Sequence, residues 1–245
     1  MPGLLCPLLL TESFNFQPLF KTAVLYYGDQ MKSCFIFGSM PIEEISVKPC
    51  YSDLIIAADA GLKNTEKLNL KPDYIVGDFD SLEYIPDGSN VIRHPVKKDE
   101  TDTILAVDVA FEKGYNNFII YGCLGGRLDQ TVASIQTASY ITEKGGSAVF
   151  IDNETYLTVI KNNAIGFSKD NKGTVSVFSL SEKSYGVCEN GLLYELKDAE
   201  LTSDYPLGVS NEFIKKDAKI SVNKGKICII WNGKHGKWSV GGNYD

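Results

Sequence analysis

The stretch Leu54-Ile55-Ile56-Ala57-Ala58-Asp59-Ala60-Gly61 decides the fold. Five apolar residues in a row read as a buried strand, Asp59 ends it, and Gly61 permits a tight turn into the helix that follows. Outward from it the pattern repeats. Short apolar runs at Cys34 to Phe37, Tyr74 to Val76, Val91 to Ile92, Phe118 to Tyr121 and Ala148 to Ile151 alternate with helical patterns. Such alternation is the mark of a parallel sheet covered by helices. The clearest helix is expected from about Glu100 to Lys113, with Ile104, Leu105, Val107, Ala110 and Phe111 as its apolar residues and Gly114 as its stop. A second is expected from about Asp129 to Lys144, before Gly145-Gly146.

After Asn153 the texture changes to short β-rich pieces: Tyr156 to Ile160, Thr174 to Leu180, Tyr185 to Val187, Ala199 to Thr202, Ala218 to Val222 and Lys226 to Trp231. The last two are joined by Asn223-Lys224-Gly225, which reads as a hairpin turn. The expectation is therefore an N-terminal α/β domain over 31–153 with a mostly parallel, Rossmann-like sheet, and an all-β domain over 154–232. Residues 1–30 read as an extension outside the core fold and 233–245 as an irregular tail.

Composition bounds the function. A chain of 245 residues can bury a sizeable core as one large domain or two smaller ones. Its net charge of -7 lacks the positive excess that tracking a nucleic-acid backbone favours, so no nucleic-acid partner is expected. The six cysteines are scattered without a C-x-x-C, which argues against a zinc ribbon or a dithiol redox site. No apolar run approaches the roughly 20 residues of a spanning helix. The apolar run Leu4 to Leu10 has no Lys or Arg before Lys21, so it lacks the basic start of a secretory signal. A cytoplasmic protein without membrane contact is expected.

The chemistry gathers in loops that follow the expected strands, where open α/β sheets place ligands. Asp59 is either a helix cap or a contact to nucleotide or metal. In Gly77-Asp78-Phe79-Asp80-Ser81 the i, i+2 spacing would put two carboxylates on one side of an extended segment with Phe79 on the other. Adjacent carboxylates repel, and a shared Mg2+ relieves the repulsion with the hard oxygen ligands it prefers. Lys98-Asp99-Glu100-Thr101-Asp102 opens a helix, with Asp99 as cap and Asp102 at the third position as its structural role. Beside a phosphate, Lys98 would supply positive charge and Asp102 a metal ligand. Gly122-Cys123-Leu124-Gly125-Gly126-Arg127-Leu128-Asp129 leads from a strand into a helix, offering amide N–H groups and the Arg127 fork to an anion. It matches neither a Walker A loop nor G-x-G-x-x-G.

Together, Asp59-Ala60-Gly61, Gly77-Asp78-Phe79-Asp80-Ser81, Lys98-Asp99-Glu100-Thr101-Asp102 and Gly125-Gly126-Arg127-Leu128-Asp129 closely resemble the thiamine pyrophosphokinase family in order and spacing. The resemblance continues through Gly191-Leu192-Leu193-Tyr194 and Leu207-Gly208-Val209-Ser210-Asn211-Glu212-Phe213, covering about residues 31–231. It implies an ATP- and Mg2+-binding α/β domain, a β-sandwich that contributes to thiamine binding, and a homodimer with shared active sites. The implied reaction transfers the pyrophosphoryl group of ATP to the hydroxyethyl oxygen of thiamine, giving thiamine diphosphate and AMP. By the same resemblance Asp78, Asp80 and Asp102 would hold the metal. Lys98 and Arg127 would meet phosphate, and Asp59, Thr101, Gly125, Gly126 and Asp129 would line the nucleotide site. Tyr194, Ser210 and Asn211 would bind thiamine, whose cationic ring wants an aromatic face. The proton acceptor stays open between Asp99, Asp129 and a water on the metal.

Two other readings compete. Asp78-Phe79-Asp80 superficially suits an Asp-nucleophile phosphatase, but it follows two earlier strands and leaves the glycine-rich loop and the β domain without a role. A non-catalytic nucleotide sensor would bind metal-ATP through the same loops, against which stands the full set of charged residues that transfer requires.

Overall fold

The structure is a computed structural model that describes residues 32–80, 82, 88, 90–93, 101–233 and 237–240. Six strands come first: β1 (Cys34–Phe37), β2 (Leu54–Ala58), β3 (Tyr74–Gly77), β4 (Val91–Arg93), β5 (Asn117–Tyr121) and β6 (Ser147–Asp152). They lie side by side in the order β6-β5-β1-β2-β3-β4, every neighbouring pair parallel. The helices are α1 (Gly61–Lys67), α2 (Asp102–Glu112) and α3 (Leu128–Glu143). From β1 the chain first builds outward through β2, β3 and β4, then returns to place β5 on the opposite side of β1. That reversal makes a switch point at the carboxyl ends of β1 and β5.

The apolar runs are continuous because both faces of this sheet are covered. Cys34, Ile36, Phe118, Ile120, Ala148 and Phe150 pack with Leu105 and Val109 of α2 and with Ala138 and Ile141 of α3. The alternate residues, Phe35, Phe37, Ile119, Tyr121, Val149 and Ile151, face a second core on the other side. Among the described residues no helix is long and apolar enough to cross a membrane.

The β-rich half is β7 (Thr155–Lys161), β8 (Ala164–Phe167), β9 (Thr174–Ser179), β10 (Lys183–Asn190), β11 (Leu196–Thr202), β12 (Gly208–Glu212), β13 (Ala218–Ser221), β14 (Lys226–Asn232) and β15 (Trp238–Val240). These strands divide between two sheets. β7, β14, β9 and β12 extend the first into a ten-stranded mixed sheet, while β11-β10-β13-β8-β15 form a separate antiparallel sheet. The expected domain boundary coincides with a tight hairpin, Asp152 pairing with Thr155 around Asn153 at φ 52, so hydrogen bonding runs through it without a break. Ile165, Phe167, Val187 and Ile220 of the second sheet share one core with Ile160, Val175, Val177 and Trp231 of the first.

Two expectations are corrected here. Asn223-Lys224-Gly225 is a crossover and not a hairpin: β13 pairs with β8 and β10, whereas β14 pairs with β7 and β9. The polar groups of the turn are claimed elsewhere, Lys224 N–H by Tyr185 O (3.1 Å) and Gly225 N–H by Asn162 Oδ1 (2.9 Å), which directs the chain from one sheet to the other. The irregular tail expected over 233–245 contains β15, paired with β8 and held by buried Trp238 and Val240. Trp238 packs 5.0 Å from Tyr156 between ring centroids, an aromatic contact that three residues of β pattern could not announce.

Candidate active site

The site residues approach from the carboxyl ends of the parallel strands. Gly61 lets α1 begin against β1, since a Cβ there would lie 1.8 Å from the Phe37 carbonyl oxygen. Asp59, directly after β2, is held at φ 46, its N–H donating to Val76 O at 2.8 Å. Gly77 admits it closely, because a Cβ on that residue would come within 3.1 Å of Asp59 Cα.

Asp59, Asp78 and Asp80 come together, with ligand oxygens all within 4.8 Å of one another. The segment that carries the last two is not extended as its spacing suggested. Phe79 takes φ 66 and is buried with Ala57, Leu62, Ile75 and Leu82, while the Asp80 N–H donates to Asp78 Oδ1 at 3.1 Å. An apolar anchor and an Asx-type turn therefore do what strand alternation was expected to do.

Asp59 is 7 % exposed, and its Oδ1 is buried with no hydrogen-bond partner. A buried carboxylate oxygen without a donor is expensive, and three neighbouring acids add repulsion. Asp102 feels the same field: burial first, then Asp59, Asp78 and Asp80, push its carboxyl from 3.8 up to about 6. Orphaned oxygen, mutual repulsion and an all-oxygen donor set fit a divalent cation such as Mg2+. The expected metal set is Asp78, Asp80 and Asp102; the close group instead joins Asp59, expected on the nucleotide, to Asp78 and Asp80, while Asp102 stands outside it and is coupled to all three by charge.

Asp102 is the first residue of α2, and the N-cap is Thr101, with φ -75, ψ 149 and Oγ1 accepting from the Ile104 N–H at 3.3 Å. The capping arrangement expected from Asp99 is thus replaced: an extended Thr with a hydroxyl in reach of the third amide satisfies the helix start. Ser81, Lys98, Asp99 and Glu100 lie outside the described residues.

The glycine-rich loop differs from expectation in what its amides do. The N–H groups of Gly122 (2.7 Å), Cys123 (2.8 Å) and Leu124 all donate to the carboxylate of Asp152 at the end of β6. Gly125 N–H donates to Thr131 Oγ1 at 3.1 Å. A buried side-chain anion thus occupies the cradle expected for phosphate. Burial raises the Asp152 carboxyl above its usual range, against the lowering effect of the three amides. Arg127 caps α3 and forks onto Asp129, Nε to Oδ1 at 3.1 Å and Nη2 to Oδ2 at 2.5 Å, which lowers the Asp129 carboxyl. Both are exposed, beside an open groove of about 690 Å³ that includes Leu128, Val132 and Gln136.

Two organisers escaped the sequence reading. Asp152 is one. The other is Asn64 on α1, whose Nδ2 donates to Gly38 O (2.7 Å) and Met40 O (2.8 Å) while Oδ1 accepts from Ile42 N–H (3.1 Å). That clamp sets the loop after β1 against Gly122, whose carbonyl accepts from the Met40 N–H at 3.0 Å. An Asn on the buried side of a short helix is the only trace of this in the sequence.

The residues expected on thiamine lie at the other edge of the large sheet. Tyr194 is 66 % exposed in the segment before β11. Ser210 sits at φ 60 where the pairing of β12 with β9 shifts register, its N–H donating to Ser176 Oγ at 3.0 Å. Asn211 is buried and its amide is engaged: Oδ1 accepts from the N–H of Tyr194 (2.9 Å) and Glu212 (2.9 Å), and Nδ2 donates to Tyr194 O (2.6 Å) and Glu189 Oε2 (2.7 Å).

Residues 50–150 match the family profile described as thiamin pyrophosphokinase, catalytic domain, and residues 162–227 match that described as thiamin pyrophosphokinase, vitamin B1 binding domain. A thiamine pyrophosphokinase of Bacillus subtilis is 28 % identical over 210 residues, covering 82 % of this chain and 98 % of that protein. The crystal structure of the B. subtilis enzyme shares the fold with a TM-score of 0.73 at 24 % identity, over 83 % of this chain and all of its own. That of yeast thiamin pyrophosphokinase gives a TM-score of 0.64 at 16 % identity, over 85 % of this chain and 89 % of its own.

Proposed function

The chain belongs to the thiamine pyrophosphokinase family of enzymes, and from that premise we propose that it transfers the pyrophosphoryl group of ATP to thiamine with Mg2+ held by Asp59, Asp78, Asp80 and Asp102. The observation that carries the proposal is the acidic cluster with its orphaned Asp59 oxygen, placed where the family's catalytic profile matches. A divalent ion held there would neutralise phosphate charge and orient the triphosphate.

In the reaction the hydroxyethyl oxygen of thiamine bonds to the β-phosphorus. The bond from that phosphorus to the oxygen bridging α and β breaks, and AMP leaves with the electron pair. The residues contribute position and charge, the main resources of phosphoryl transfer. Arg127 offers its fork to phosphate oxygens in competition with Asp129. The loop over 122–126 acts as a braced wall, its first amides already bound to Asp152. Asp129 is a poor proton acceptor because Arg127 lowers its carboxyl, which leaves Asp99 or solvent for that role.

The second sheet, packed against the far half of the first, is read as completing a thiamine-binding β-sandwich. Tyr194 offers an aromatic face to a cationic ring. Seven strand spacings separate β12 from β2, roughly 30 Å at the usual spacing. That separation supports a homodimer in which the thiamine residues of one subunit meet the acidic cluster of the other.

Incubation with ATP, Mg2+ and thiamine tests the activity. AMP and thiamine diphosphate should appear together in equal amounts. Inorganic phosphate released without thiamine would point to a phosphatase, and ATP binding without turnover to a sensor; either result overturns the proposal.

A further inference from the structure

Glu189 on β10 is 1 % exposed, the most deeply buried acid among the described residues. Its Oε2 accepts from Asn211 Nδ2 at 2.7 Å, but its Oε1 is buried with no partner. A Cβ on Gly208 would lie 3.2 Å from that Oε1, so the acid is packed against β12 as well as hydrogen-bonded to it. Burial raises its carboxyl above the ordinary range, while the Asn211 hydrogen bond lowers it. A half-satisfied acid in a core costs stability that an apolar side chain of similar size would not. What it supplies in return is an orientation.

An asparagine amide fits its pocket in two ways that differ by exchange of oxygen and nitrogen. Here Oδ1 must accept from the Tyr194 and Glu212 N–H groups, and Nδ2 must donate to the Tyr194 carbonyl. An acceptor on the fourth side adds to that preference and tethers the amide in place, and Glu189 Oε2 is that acceptor. We propose that Glu189 is a positioning residue: through Asn211 it clamps both main-chain groups of Tyr194, and the affinity for the cationic heterocycle depends on that clamp. The proposal rests on the reading of Tyr194 as a thiamine contact.

Steady-state kinetics of the full chain test it, varying thiamine at saturating Mg-ATP and then the reverse. Glu189→Ala should raise the KM for thiamine about tenfold and leave the KM for ATP and kcat within about twofold, the split expected when only one substrate's site is loosened. Glu189→Gln, whose amide oxygen can still accept from Asn211, should stay within about threefold of the native thiamine KM. Asn211→Asp sets two acids against each other and should also weaken thiamine; adding Glu189→Gln to it exchanges donor and acceptor across the contact and should recover part of the loss. Tyr194→Ala separates the two levels of inference. If it leaves the thiamine KM unchanged, the reading of the site falls and the role of Glu189 with it. If it raises that KM while folded Glu189→Ala does not, the role of Glu189 alone is overturned. Equal rises in both KM values, or a Glu189→Gln variant as impaired as Glu189→Ala, would also overturn it. Should Glu189→Ala not fold, the Asn211→Asp series decides, and absence of recovery in the double variant overturns the proposal.

Discussion

Asp59, Asp78 and Asp80 converge on one point from two strand ends, and Asp102 is repelled by all three. Asp80 is exposed and adds little to the packing, so Asp80→Asn should lower turnover by about 100-fold or more with little change in melting temperature. Near-native turnover would remove Asp80 from the proposed metal site. Asp102 behaves differently because its carboxyl is raised from 3.8 to about 6. Between those values the folded chain keeps a proton that the unfolded chain has lost, so metal-free stability falls as pH rises through this window. Asp102→Asn should therefore melt higher than the native protein at pH 7 without Mg2+, and the gap should close below about pH 4. Melting curves across pH check it, and saturating Mg2+ should narrow the gap by stabilising the native carboxylate. The three aspartates were legible in the sequence because each ends or follows an apolar run. The means of bringing them together was not: Phe79 at φ 66, seated in a small core of its own, is fixed by contacts that no local spacing encodes.

At the level of elements, most strands and helices of the parallel half were legible because each is an apolar or amphipathic run bounded by Gly or Asp. The organisers between them were not, since their partners lie far away in the chain. Asp152 bonds to residues about thirty positions earlier, and Asn64 holds a loop more than twenty positions before it. The misread hairpin has the same origin: Asn223-Lys224-Gly225 has hairpin composition, but Tyr185 and Asn162 claim its polar groups. Asp152→Ala would strand three amides, two of them 2.7 and 2.8 Å from its oxygens, and should cost about 3 kcal/mol or more. Asp152→Asn keeps one acceptor and should lose less. Denaturant titration of both variants measures the difference, and equal stability of all three proteins would show that the loop holds itself.

For the whole molecule, the separation between the acidic cluster and the β12 edge makes a mixing experiment decisive. Asp80→Asn and Tyr194→Ala are each expected to be impaired alone. Unfolded together in equal amounts and refolded, they should regain roughly a quarter of native turnover if the proposed homodimer forms, because half of its dimers would then pair the two variants and each of those would have one intact site. Absence of recovery would mean that both groups act from a single chain.

The unbroken pairing from β4 to β12 has one more consequence. Ten strands tied edge to edge behave as a beam, and the tight reversal at Asn153 is a weld in it. Jaw-like closure of one half of the chain on the other would have to tear that ladder. In the proposed reaction, shutting water away from the phosphates would then fall to short surface segments, or to a second subunit already seated before ATP arrives.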